Sequence, residues 1–268
     1  VERVPLAAPA LGSPVRVVGA PVAWAAMPML QGDGITIGII DSGIDYTHAD
    51  FGGEGTSDAY LANDPNIVEP GSFPTAKVVG GWDFVGNAYN PGAGVTNPKP
   101  DADPLDCTTP GGDFISGGHG THVAGIAAGK GVLQDGSSFD GPYEASFDLS
   151  AFRVGPGVAP RAKIYSLKVF GCEGSTTMLG AALDRASDPD QDGSFADRLD
   201  VVNASLGTGY GLGSATVGKI ATELTGLGTL IVAAAGNDGQ SFFATGSPAT
   251  YPEVLSVAAT VDNDLLRL

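Results

Sequence analysis

Positive charge is what this sequence of 268 residues has least of: 13 Lys and Arg face 30 Asp and Glu, for a formal net charge of −17. A surface of that sign is repelled by phosphate backbones and anionic lipid, which excludes nucleic acid and membrane surfaces as partners. Long apolar runs are missing too. Gly, Ser and Asp break each of them well short of the ~18 residues a membrane-spanning helix needs. Cysteine occurs only as Cys107 and Cys172, too seldom for a scaffold built on many disulfides. No charged-then-apolar leader opens the chain at Val1, so any signal peptide is expected outside it. Few thiols, six lysines and abundant Asp and Gly suit an extracellular protein.

What is present defines a folded protein. Hydrophobic residues make up 43% of the chain, enough to collapse into a core and to argue against intrinsic disorder. The length is that of one domain carrying insertions. Glycine, 41 of 268 residues, is about twice as common as the usual ~7% and follows no Gly-X-Y period, so turns are frequent. The acids are 23 Asp and 7 Glu. Asp prefers turns and oxygen-ligand sites, which points to loops and to calcium.

Strand and helix signals alternate, the pattern of an α/β fold with a mostly parallel sheet. Residues 16–30 read as a short helix over the sheet edge, and 34–40 (GITIGII) as a buried strand ending at Asp41. From 50 to 116 Gly, Pro, Asn and Asp dominate, interrupted by a strand-like KVVGGWDFV at 77–85. Trp82 and Phe84 within it read as local core. Residues 119–128 (HGTHVAGIAA) form a helix of small side chains that must lie close against other backbone. A second loop-like stretch covers 131–158. Strands follow at 162–170, 199–206, 229–235 and 254–260, with helices at 176–186 and 214–226 between them.

Open parallel sheets collect functional groups beyond the carboxyl ends of their strands. Asp41 follows a strand in IIDSGID, His119 opens a helix in GGHGTHVAG, and Asn237 follows a strand in AAAGNDG. A carboxylate held at a strand end can orient an imidazole, the imidazole can act as a general base, and an Asn amide can donate to a developing oxyanion. Taken singly, each has a plainer reading as a turn or cap residue.

Together with GVAPRAKIYSLKVFG at 157–171 and DVVNASLG at 200–207, these segments resemble the subtilisin-like serine proteases, the subtilases. The resemblance runs from about residue 20 to residue 260. It implies a three-layer α/β/α fold with a mostly parallel central sheet, and a secreted, monomeric endopeptidase that hydrolyses polypeptides without an organic cofactor. Residues 1–20 would be a propeptide tail or a mature N-terminal arm. Residues 21–268 would be a partial catalytic domain, incomplete at its C-terminal end, with insertions near 50–116 and 131–158. Asp41 would be the orienting acid, His119 the base and Asn237 the oxyanion donor. Phe170, Gly174 and Ser175 would form a substrate-pairing edge, with Ser205, Leu206, Gly207, Ala235 and Gly236 as pocket walls. The family's nucleophile lies downstream of the Asn in a Gly-Thr-Ser-Met-Ala-x-Pro-like segment, which is absent here. The one Gly-Thr-Ser, at 55–57, precedes the His in a polar stretch and is rejected. The chain is therefore expected to be inactive alone, the rest of its catalytic domain being missing. The competing reading is a non-catalytic module that binds peptide or calcium on the same scaffold, and a peptide ligase using the same residues stays open.

Three further features complete the reading. Asp188-Pro-Asp190-Gln-Asp192-Gly193 starts like a calcium loop, with Asp197 or Asp200 as a closing ligand because Leu199 stands where an EF-hand has Glu. His119 and His122 lack the further ligands of a zinc site, so His122 is expected to pack behind the active site. In a subtilase-like fold Cys107 and Cys172 would both approach the cleft, where they are either bridged or free.

Overall fold

The computed structural model describes residues 12–107, 118–146, 148–239 and 241–259. Six parallel strands form the central sheet in the spatial order β2-β5-β1-β6-β7-β8. They are β1 (Thr36–Asp41), β2 (Val78–Asp83), β5 (Lys163–Lys168), β6 (Val201–Ala204), β7 (Leu230–Ala234) and β8 (Leu255–Val257). A separate antiparallel ribbon pairs β3 (Val132–Leu133) with β4 (Phe152–Val154), so the second loop-like stretch contains a short hairpin. The helices are α1 (Gly12–Val17), α2 (Ala20–Trp24), α3 (Ser57–Leu61), α4 (His119–Ala128), α5 (Leu179–Ser187) and α6 (Ala215–Gly226).

Period-two alternation along β1 sorts its side chains to two faces. Ile37 and Ile39 join Ala124 and Ala128 of α4 in one core, whereas Ile40 joins Ala182, Leu183 and Ala186 of α5 and Ala221 and Leu224 of α6 in the other. The result is three layers, with α4 on one face of the sheet and α5 and α6 on the opposite face. The same alternation sends Asp41 to the α4 face, as β1 ends. The sequence motif is thereby turned into a geometric one: the last residue of the central strand faces the first turn of the helix behind it.

One missing side chain permits that closeness: at Gly120 a Cβ would meet the Gly43 carbonyl oxygen at 2.2 Å. The helix of small residues therefore lies against the strand exit. Residues 16–30 do not form the single helix expected of them. Gly19, with φ 76°, separates α1 from α2, because the left-handed conformation cannot continue a right-handed helix. This N-terminal piece has its own cluster, in which Val15, Ala20 and Trp24 pack with Tyr143. Trp24 Nε1 ties it to the body by donating to the Val158 carbonyl at 2.8 Å.

The long stretch before α4 adds β2 to the edge of the sheet. Asp83, at the end of that strand, and Lys168, at the end of β5, make an ion pair of 3.0 Å with both side chains fully buried. Lys168 also donates to the Leu105 carbonyl at 2.9 Å and to Asn87 Oδ1 at 2.5 Å, while Asp83 Oδ1 accepts from Val85 N and Gly86 N. Such satisfaction is what keeps a buried pair from costing more than it returns. Phe84 packs against the larger core, and the Arg185 guanidinium lies over Trp82, 4.9 Å from the indole ring centre.

Candidate active site

Asp41 is buried at the end of β1. Its Oδ1 accepts from the Ser42 N–H at 2.8 Å and lies 2.7 Å from His119 Nδ1. An ionised carboxylate only accepts, so the Nδ1 nitrogen must carry the proton, and Nε2 is left with its lone pair. The His119 side chain is 61% exposed against 2% for Asp41. Hydrogen bonding to Asp41 raises the pKa of His119. Burial of the ring opposes this, and the charges of Asp41 and Asp106 add to the rise. Among the described residues no other side chain bonds to the ring.

The pair opens onto a cleft of about 800 Å³. One wall is the chain from Phe170 to Thr177 that follows β5; the other is Ser205–Thr208 after β6, with Ser214 and Val217 at the start of α6 and Tyr251 beyond β7. Phe170, Gly174, Ser175, Ser205, Leu206 and Gly207 all line it, whereas Ala235 and Gly236 do not. Those two follow β7, where Ala235 N donates to Val257 O and Ala235 O accepts from Gly246 N. Asn237 is exposed and is also outside the cleft lining. The first wall is buttressed from the stretch before α4: Cys172 N donates to Asn87 O at 2.9 Å, and Gly92 N donates to Ser175 Oγ at 3.1 Å. Cys107 and Cys172 are joined by a disulfide with Cα atoms 5.3 Å apart, which resolves the two alternatives and pins the wall to the segment entering α4.

Other expected residues fall elsewhere. His122 does not pack behind the site; it is exposed on α4. Gly55-Thr56-Ser57 is a helix start, with Thr56 Oγ1 accepting from Ala59 N at 3.1 Å as the cap of α3. In the acidic loop, Asp188, Asp190 and Asp197 each bring a carboxylate oxygen within 4.8 Å of the others. Asp192 is not in that group; its Oδ1 accepts from Ser194 N at 2.7 Å. Asp200 is engaged by Thr36 N at 2.8 Å. Three hard oxygen donors so placed can hold a divalent cation, with backbone carbonyls and water completing its shell.

Fold and site together place an imidazole held by a buried carboxylate at the carboxyl edge of a parallel sheet, with a cleft beside it. Residues 32–267 match the subtilase family, and the chain belongs to it. It is 28% identical over 247 residues to thermitase of Thermoactinomyces vulgaris, an alignment covering 92% of this chain and 61% of thermitase. It is 30% identical over 240 residues to subtilisin DY of Bacillus licheniformis, covering 87% and 59% respectively. With the minor extracellular protease Vpr of Bacillus subtilis it shares 29% identity over 231 residues, covering 85% of this chain and 21% of Vpr. A solved protease from Pseudoalteromonas arctica PAMC 21717 superposes with a TM-score of 0.57 at 23% identity, over 90% of this chain and 60% of that one, a likeness of fold. The chain thus spans about 61% of thermitase and less of the other two relatives. Among the described residues no helix is long and apolar enough to cross a membrane.

Proposed function

We propose that this chain is part of the catalytic domain of a secreted serine endopeptidase, and that its nucleophilic serine comes from polypeptide beyond Leu268. The observation that carries the reading is the 2.7 Å bond between Asp41 and His119, with both residues lining the cleft. In the proposed reaction His119 Nε2 takes the serine proton as the hydroxyl oxygen attacks the scissile carbonyl, and Asp41 stabilises the imidazolium that forms. Asn237 is the proposed donor to the oxyanion. His119 then returns the proton to the leaving amine, and water repeats the cycle to release the acyl group. The chain 170–175 offers its backbone to an extended substrate as an added strand, while Ser205, Leu206 and Gly207 face it from the other wall.

Exposed apolar surface supports an incomplete domain. β8 is exposed along its whole length, Leu230 and Ile126 are exposed on β7 and α4, and Phe242 and Phe243 are 91% and 86% exposed. Edge strands and apolar side chains open on this scale ordinarily have a covering partner. The carboxylates of Asp188, Asp190 and Asp197 fit calcium in a structural role.

The test is to express this chain alone and with a C-terminal extension from its parent protein, and to digest an unfolded protein in H₂¹⁸O. Hydrolysis by the extended form, ¹⁸O in the new carboxyl termini and a loss of 10³-fold or more in His119→Ala support the reading. Joined peptides without ¹⁸O would indicate a ligase. Saturable peptide binding without turnover in every form would favour the non-catalytic module.

A further inference from the structure

The first turn of α4 lacks a cap of its own. Gly118 precedes the helix with φ 80° and has no side chain to offer, although the first backbone N–H groups of any helix need outside acceptors. They find them. Gly120 N donates to Ser42 Oγ at 2.9 Å, and Thr121 N donates to Asp106 Oδ2 at 3.0 Å. Thr121 Oγ1 donates to the same oxygen at 2.6 Å and accepts from Asp45 N at 2.9 Å. Three consecutive residues are therefore each held from outside the helix: His119 by Asp41, Gly120 by Ser42 and Thr121 by Asp106.

Asp106 is the unusual member. It is fully buried, and among the described residues no Lys or Arg pairs with it. A lone buried carboxylate is costly to the fold. Burial pushes its pKa up, opposed by the Thr121, Ser42 and Gly118 groups around it. Its neighbours are fixed on both sides: the Leu105 carbonyl accepts from buried Lys168, and Cys107 is bonded to Cys172 in the cleft wall. A rigid anchor thus ends on the helix turn that carries the imidazole.

We propose that Asp106 is a positioning residue for His119, its carboxylate gripping Thr121 so that the imidazole meets Asp41 in the correct orientation, with the Cys107–Cys172 bridge holding the grip in place. The proposal rests on the reading of Asp41 and His119 as the acid–base pair. The charged groups acting on His119 are Asp41 and Asp106, and Glu173 stands on the cleft wall.

The experiment is an NMR titration of the three histidines in the full 268-residue chain. Asp106→Asn keeps an acceptor for Thr121 but removes the charge; Asp106→Ala removes both; Thr121→Val keeps the N–H and drops the hydroxyl. The expected result is a downward shift of the His119 midpoint in Asp106→Asn, with His48 and His122 unchanged. Asp106→Ala should in addition lose the downfield Nδ1–H resonance of the Asp41 bond, and Thr121→Val should weaken it. If every variant lowers thermal stability while the His119 midpoint and its Nδ1–H signal stay as in wild type, Asp106 is an ordinary helix cap and the proposal is overturned. Asp41→Asn is the control. If it also leaves His119 unmoved, the acid–base reading itself fails; if it moves His119 and the Asp106 variants do not, only the positioning role fails.

Discussion

Gly120→Ala should damage this protein although it replaces the poorer helix former by the better one. A Cβ at 120 would sit 2.2 Å from the Gly43 carbonyl oxygen and 3.0 Å from Asp41 Cβ. Ordinary carbon–oxygen contacts start near ~3.3 Å, so helix and strand exit must part by roughly 1 Å. Both sides of that contact are backbone, held by the β1 pairings and by Ser42, and no flexible side chain can yield. Overpacking of this kind costs about 1–3 kcal/mol, offset by about 1 kcal/mol of helix propensity, for a net loss of up to about 2 kcal/mol. In a chain of this size that lowers Tm by up to about 8 °C. Gly226→Ala is the matched control: it lies in the last turn of α6 with nothing within 4 Å of a built Cβ, so it should be neutral or stabilising by up to ~1 kcal/mol. Urea and thermal melts followed by circular dichroism read both variants. Equal or higher midpoints for Gly120→Ala would refute the claim that α4 is packed against the catalytic strand as tightly as described.

The remaining predictions concern other parts of the fold. Burial raises the pKa of Asp50 from 3.8 to about 6, so the folded state binds that proton first. Its contribution therefore grows as pH falls from about 6 towards 3.8 and is absent above that window, reaching up to about 3 kcal/mol; Asp50→Asn should flatten the difference between urea midpoints at pH 7 and pH 5, and an unchanged slope would sink the assignment. Reducing the Cys107–Cys172 bridge, which closes 65 residues, should lower unfolding free energy by about 2–4 kcal/mol, with Cys107→Ser/Cys172→Ser behaving likewise in reductant-free buffer. Calcium at about 100 times its Kd should stabilise the chain by about 2.7 kcal/mol. Chelator should reverse this, and Asp188→Asn/Asp190→Asn should abolish it; a calcium response that survives the double variant would place the ion elsewhere.

The parts legible in the sequence are those where one segment carries its own periodicity. The run ending at Asp41 and the HGTHVAGIAA helix fall where the pattern put them, as β1 and α4. The α/β fold with a parallel sheet follows from the alternation of strands and helices, and the subtilase resemblance implies its three layers. What the sequence withheld depends on groups far apart in the chain. Asp106 lies 15 positions before the Thr121 it holds, with no local motif between them. Its only sequence signal is an acid next to a cysteine. In the acidic loop the regular Asp-x-Asp-x-Asp spacing suggests Asp192, which lies outside the cluster, whereas Asp197, one of the two closing ligands the sequence offered, joins Asp188 and Asp190. The N-terminal apolar residues fit one helix by spacing, and a single left-handed Gly19 divides them.

The central claim is that the Asp41–His119 pair serves a serine outside residues 1–268. A fluorophosphonate probe, followed by peptide mapping in a mass spectrometer, tests it directly. The account predicts no adduct on this chain alone, an adduct on a serine beyond Leu268 in the extended polypeptide, and its loss in His119→Ala. An adduct on any serine within residues 1–268, or labelling that is indifferent to His119, would contradict it.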